Sequence, residues 1–127
     1  MTIPNAALAY RVLDHIDAHP EQHDQNVWVE EGRDCGTAAC LAGWAVLLSG
    51  DEPIFDDDEP PQRETNEVLA DGSILPVWSR AADLLRIDPD GGPEGVGGYR
   101  LFSQHNTRDD LGRLITEIFG PRPTGLQ

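Results

Sequence analysis

The sequence predicts a mainly α fold: a compact bundle of about four helices around a central apolar helix at 37–49, with one small β-hairpin at about 67–75 and two long loops. Three observations carry this expectation. Three segments repeat their apolar residues at the spacing of a helix face, a fourth is apolar on every side, and a single Asp-Gly pair stands between two short apolar runs.

The first helix is predicted over 4–18, where Ala9, Val12, Leu13 and Ile16 fall at i, i+3, i+4 and i+7. Pro4 suits its first turn and Pro20 stops it. The stretch "HPEQHDQNVWVEEGRD" that follows reads as a loop, anchored by Val27, Trp28 and Val29, with Trp28 pinning it to the core. The central helix comes next, with Asp34 or Thr37 as its N-cap and Gly50 past its end. Leu41, Trp44, Ala45 and Leu48 form one stripe, while Cys40, Val46 and Leu47 fill the other faces; such a helix is surrounded by protein. Ala38, Ala39, Ala42 and Gly43 are small and allow neighbouring elements to approach closely. Residues 51–66 are acidic and proline-rich and read as an exposed loop. "EVLADGSIL" then carries the hairpin signal. Pro76 opens the third helix, with Trp78, Ala81, Ala82 and Leu85 at helical spacing, and 88–98 is a glycine-rich loop. The last helix is capped by Thr107, carries Asp109 and Asp110 in its first turn, and is striped by Leu111, Leu114, Ile115 and Ile118. Gly120 and Pro121 end it, and 121–127 is a tail.

A chain of 127 residues is the length of a single domain, long enough to bury roughly two thirds of its unfolded surface without a disulfide or metal. No apolar run approaches the roughly 18 residues of a membrane helix, and the N-terminus lacks the basic and apolar regions of a signal peptide. A cytoplasmic protein with reduced cysteines is therefore expected. The formal charge is −14, from 23 acids against 9 basic residues, a field that repels nucleic acid and anionic lipid. All the basic residues are arginine. The absence of lysine excludes a P-loop lysine, a Schiff base and a lysine general base.

Cys35 and Cys40 flank "GTAA" at the predicted start of the central helix. The positive end of a helix lowers a thiol's pKa, which makes this a candidate reactive site; the alternative is a buried small residue and a loop residue, since the spacing is not that of a CxxC dithiol. A zinc site would recruit His15, His19 and His23, which recur every four residues with His15 and His19 able to share one helical face, and its candidate ligands are Cys35, Cys40, His19 and His23. Pro20 breaks the helix before His23, and no tight CxxC knuckle is present. "DPDGGPE" and "DDDE" suggest calcium but lack the spacing of the twelve-residue loop. The glycines at 91–98 have neither the strand before nor the helix after that a phosphate cradle needs. No cofactor is expected.

The order of a first helix, "HPEQHDQNVW", "CGTAACLAGWAVLLSG", "AADLLRID" and "LFSQHNTRDDLGRLITEIFG" resembles a group of short uncharacterised proteins of actinobacteria and their phages, with the CGTxxCxAGWA core as its most specific part. The resemblance implies an accessory gene of phage or prophage context and assigns no catalytic residue. The expected function is a non-enzymatic interaction protein whose acidic surface engages a basic host protein. Its contact residues are expected in the acidic loop, at Asp56, Asp57, Asp58 and Glu59, whose charge is least committed to the fold. The alternative is a thiol- or metal-dependent enzyme or ligand-binding protein built on Cys35, Cys40 and the histidines.

Overall fold

Asn5 caps the first helix. The computed structural model describes residues 5–33, 36–55, 63–87 and 98–122, and within them α1 runs Ala6–Ala18 with Asn5 Oδ1 accepting the Leu8 N–H at 3.1 Å. The same residue donates its own N–H to the Leu85 carbonyl (2.8 Å) and its Nδ2 to the Leu84 carbonyl (3.1 Å), which fixes the start of α1 to the end of a later helix. The apolar stripe of α1, Ala9, Val12, Leu13 and Ile16, is buried as its periodicity predicts, and Leu8 and Tyr10 are buried beside it. A single 3₁₀ turn, Pro20–Gln22, follows.

The architecture is mixed α and β, which corrects the expectation of a mainly α bundle with one hairpin. Two three-stranded antiparallel sheets are present among the described residues. The first has the order β2-β1-β4, with β1 at Val29–Arg33, β2 at Gly36–Ala39 and β4 at Arg63–Thr65. The second has the order β3-β5-β6, with β3 at Glu52–Pro53, β5 at Glu67–Ala70 and β6 at Ser73–Pro76. Only Asn66 separates β4 from β5, so the chain leaves one sheet and enters the other there.

Three segments adopt a structure other than the one their sequence predicts. "GTAA" is a strand rather than the first turn of the central helix, because Ala38 and Ala39 pair with Glu30 and Val29 and are fully buried by that pairing. Helix propensity of alanine is a weak preference that tertiary contacts override. "VWVEEGR" reads as loop in the sequence, yet Val29 is buried at the middle of the first sheet, opposite Ala39 on one side and Thr65 on the other. The acidic stretch 51–66 contributes β3 and β4 at its two ends. The Asp71-Gly72 turn does join two strands, with positive φ at both residues as a tight hairpin turn requires, but β3 adds a third strand to them.

Among the described residues four helices have eight residues or more: α1, α2 (Leu41–Leu48), α3 (Val77–Leu85) and α5 (Arg108–Phe119), with α4 (Gly98–Leu101) a single turn. α2 packs against α1 and α3, and α5 packs against α1. Residues 41–46 of α2 are all buried, in keeping with a helix apolar all round. Gly43 is required by a close approach: a Cβ there would lie 1.9 Å from the Trp28 carbonyl oxygen and 2.7 Å from the Ala39 Cβ. α3 ends on Arg86 in the left-handed conformation, and α5 opens on a full capping box between Thr107 and Asp110. Tyr10 Oη donates to the Gly120 carbonyl at 2.5 Å, tying the far end of α5 to α1.

Candidate functional site

The predicted thiol site lies where β2 runs into α2. Cys40 is the N-cap residue of α2 but makes no side-chain cap. That task falls to Gln25, from the loop before β1. Its Nε2 donates to the carbonyls of Ser103 (3.0 Å) and Leu101 (3.5 Å), which leaves Oε1 to accept the Leu41 N–H at 3.2 Å. One amide thus ties the start of α2 to the segment after α4. The same Oε1 lies 2.8 Å from His23 Nε2, and since an amide oxygen only accepts, that ring nitrogen carries the proton.

Cys40 is 2% exposed, and its Sγ faces the Trp28 carbonyl at 4.0 Å. Burial pushes its thiol up to about 11; hydrogen bonds from the backbone N–H groups of α2, led by Gly43 and Ala42, pull the other way and are outweighed. A thiol held so high is almost wholly protonated at neutral pH, which makes it a poor nucleophile. Cys35, its predicted companion, lies outside the described residues. His19 is exposed beside Glu21, and the Nε2–H of His23 is committed to Gln25. No group of three or more His, Cys, Asp or Glu capable of holding a metal exists among the described residues.

His15 is the histidine that the fold engages most. Its ring packs 4.1 Å from Trp44 and 4.8 Å from His19, centroid to centroid, and its Nε2 lies 3.1 Å from Gln22 Oε1. Burial depresses its pKa, against the hydrogen bond to Gln22, which favours the charged ring. Trp44 Nε1 in turn donates to the Gln22 carbonyl at 2.9 Å. This cluster locks the 3₁₀ turn onto α1 and α2 and is structural.

A cavity of about 250 Å³ opens beside Cys40, lined by Gln25, Val27, Trp28 and Phe102 among others, with Trp28 and Phe102 edge to face at 6.5 Å. Ligand sites combine an apolar wall with a few convergent polar groups. Here the amide of Gln25 is already spent on backbone groups and on His23, so it has nothing to direct at a ligand.

The remaining candidate is the charged surface. Arg80 makes a bidentate pair with Asp51 (2.8 and 3.3 Å), whose carboxylate is only 7% exposed, and Asp71 and Asp83 stand 3.7 Å from the same guanidinium. Three carboxylates thus surround one cation. Arg108 holds Asp17 through two hydrogen bonds and Arg122 holds Asp14 at 2.8 and 2.9 Å, both joining the C-terminal part of the chain to α1. The Arg108 hydrogen bond keeps the Asp17 carboxyl below the usual carboxylate range. Even if every arginine neutralised one acid, 23 − 9 = 14 carboxylates would remain. The predicted contact residues Asp56, Asp57, Asp58 and Glu59 lie outside the described residues. Gln25 and the Asp51–Arg80 pair were invisible to sequence reasoning, because neither belongs to a motif and each partner lies far along the chain.

Comparison of the chain with protein-family models, with curated proteins and with solved structures finds no match.

Proposed function

We propose that this protein is a non-enzymatic accessory interaction protein, of phage or prophage context, that acts in the cytoplasm and engages a basic host protein through its acidic surface. The observation that supports the reading most is the large excess of carboxylates over arginines. Four arginines, Arg80, Arg108, Arg113 and Arg122, are already held by carboxylates of the same chain. A surface of that sign attracts basic proteins over a Debye length and repels nucleic acid. No helix among the described residues is long and apolar enough to cross a membrane. The thiol-dependent alternative gains nothing from Cys40, whose burial raises its pKa.

The contact residues proposed are Asp56, Asp57, Asp58 and Glu59. The test is affinity capture from a host lysate at low ionic strength, with the immobilised parent beside the variant Asp56→Asn, Asp57→Asn, Asp58→Asn, Glu59→Gln. A basic protein enriched by the parent and depleted from the variant is expected. Recovery of no basic protein, or equal recovery by both chains, would overturn the reading.

A further inference from the structure

The outer face of the β3-β5-β6 sheet exposes apolar side chains among acids. In β5, Val68 and Ala70 are buried, so the alternation of a strand turns Glu67 and Leu69 to the other side. Register then places Leu69 opposite Ile74 of β6 and opposite Glu52 of β3, and Glu67 opposite Pro76. Residues directly opposite across antiparallel strands share a face. Glu52, Leu69 and Ile74 therefore form one row across all three strands, with Glu67 and Pro76 beside it.

Leu69 is 41% exposed and Ile74 59%, and Glu52 is exposed as well. An isolated exposed leucine needs no explanation. Two large apolar side chains side by side, bordered by carboxylates, are a different case. Asp71 extends the acidic border at the hairpin tip, and Arg80, the cation within reach of Asp71, is itself shared among Asp51, Asp71 and Asp83. The border is therefore negative. Its complement is a segment that presents an apolar side chain between arginines or lysines.

We propose that this sheet face is a docking surface for a basic, amphipathic segment of a partner protein, in which the Leu69–Ile74 pair receives apolar side chains and Glu52 and Glu67 receive the cations beside them. The proposal rests on the acidic-surface reading above and gives it a second, apolar determinant. The apolar contact supplies the selectivity that charge alone does not, since a purely electrostatic surface accepts any cation.

The test uses the ¹⁵N-labelled full chain and two synthetic peptides of equal charge, one alternating lysine with leucine and one alternating lysine with serine. At low salt the lysine-leucine peptide should shift amide resonances centred on Glu52 and on residues 67–75. Its affinity should fall by about tenfold or more in the Leu69→Thr, Ile74→Thr variant, with the lysine-serine peptide unaffected by that change. Glu52→Gln with Glu67→Gln should weaken both peptides. Threonine suits an exposed strand position, and if the double variant fails to melt like the parent, Ile74→Thr alone serves the same comparison. Binding of the lysine-leucine peptide with parental affinity to these variants, with shifts elsewhere, would overturn the docking face and leave the acidic-surface reading standing. Failure of both peptides to bind at any salt would overturn that reading too. A concentration-dependent dimer that Leu69→Thr, Ile74→Thr abolishes would assign the face to self-association and also overturn the proposal.

Discussion

Burial favours the neutral form of two titratable side chains, Cys40 and His15. A thiol at the start of a helix is expected to ionise easily, yet at Cys40 the loss of solvent outweighs the local backbone N–H groups and moves the pKa to about 11. In a Cys35→Ser variant, which isolates this thiol, an aromatic disulfide reagent at neutral pH should therefore titrate no sulfur in the folded protein and one per chain in denaturant. Rapid reaction in the folded state would return Cys40 to the list of reactive groups. His15 behaves in the same sense through a different group. Its pKa is depressed by burial against Trp44, below its ordinary value of 6.5. A depressed pKa means that the unfolded chain binds the proton more readily, so this contribution to stability is full above about pH 6.5 and is lost as pH falls through the lower, folded value. His15→Gln removes the titration: the fall in Tm from pH 7 to pH 5 should be smaller in this variant than in the parent. An equal or steeper fall would show that His15 is not protected by the fold.

Secondary structure was legible where one chain segment decides its own fate. The stripe of α1, the Thr107 cap with Asp109 and Asp110 in the first turn after it, and the Asp71-Gly72 turn are local signals, and all three appear where the sequence puts them. The first sheet was not legible, because its strands exist only through pairings between distant segments. Val29 is opposite both Ala39 and Thr65, and nothing near position 29 announces either. "GTAA" reads as the start of the central helix, and only its pairing with Val29 and Glu30 makes it a strand. Likewise the small residues of α2 were legible as allowing a close approach, but not which element makes it. The answer is the Trp28 carbonyl over Gly43, and it sets a sharp expectation. In Gly43→Ala the methyl group meets backbone, which cannot rotate away, so the alanine should cost about 1–3 kcal/mol despite its better helix propensity. A thermal melt measures this. A Gly43→Ala protein as stable as the parent would mean that α2 and the segment before β1 are not in contact.

The molecule as a whole is an acidic body, and three of its nine arginines tie distant elements together. Arg80 ties α3 to the residue after the α2 turn, while Arg108 and Arg122 tie the last helix and its extension to α1. Exposed arginines such as Arg11, Arg86 and Arg100 stand among a larger number of carboxylates, and pairing within the fold leaves the net charge at −14. Candidate chemistry around Cys40 was legible in the sequence as a motif but not as an environment, since burial is a property of the assembled core. The acidic excess, by contrast, was fully legible, because net charge is a sum that folding does not change. Exposed charge attracts over about 8 Å at physiological salt and over much less at high salt. The most direct measurement is the affinity for the captured basic partner as a function of salt, from about 0.05 to about 0.5 M, for the parent and for the variant with Asp56, Asp57 and Asp58 as asparagine and Glu59 as glutamine. Affinity that falls steeply with salt for the parent, and less steeply from a weaker start for the variant, is the predicted result. Equal affinity across that range, with the two chains indistinguishable, would contradict it.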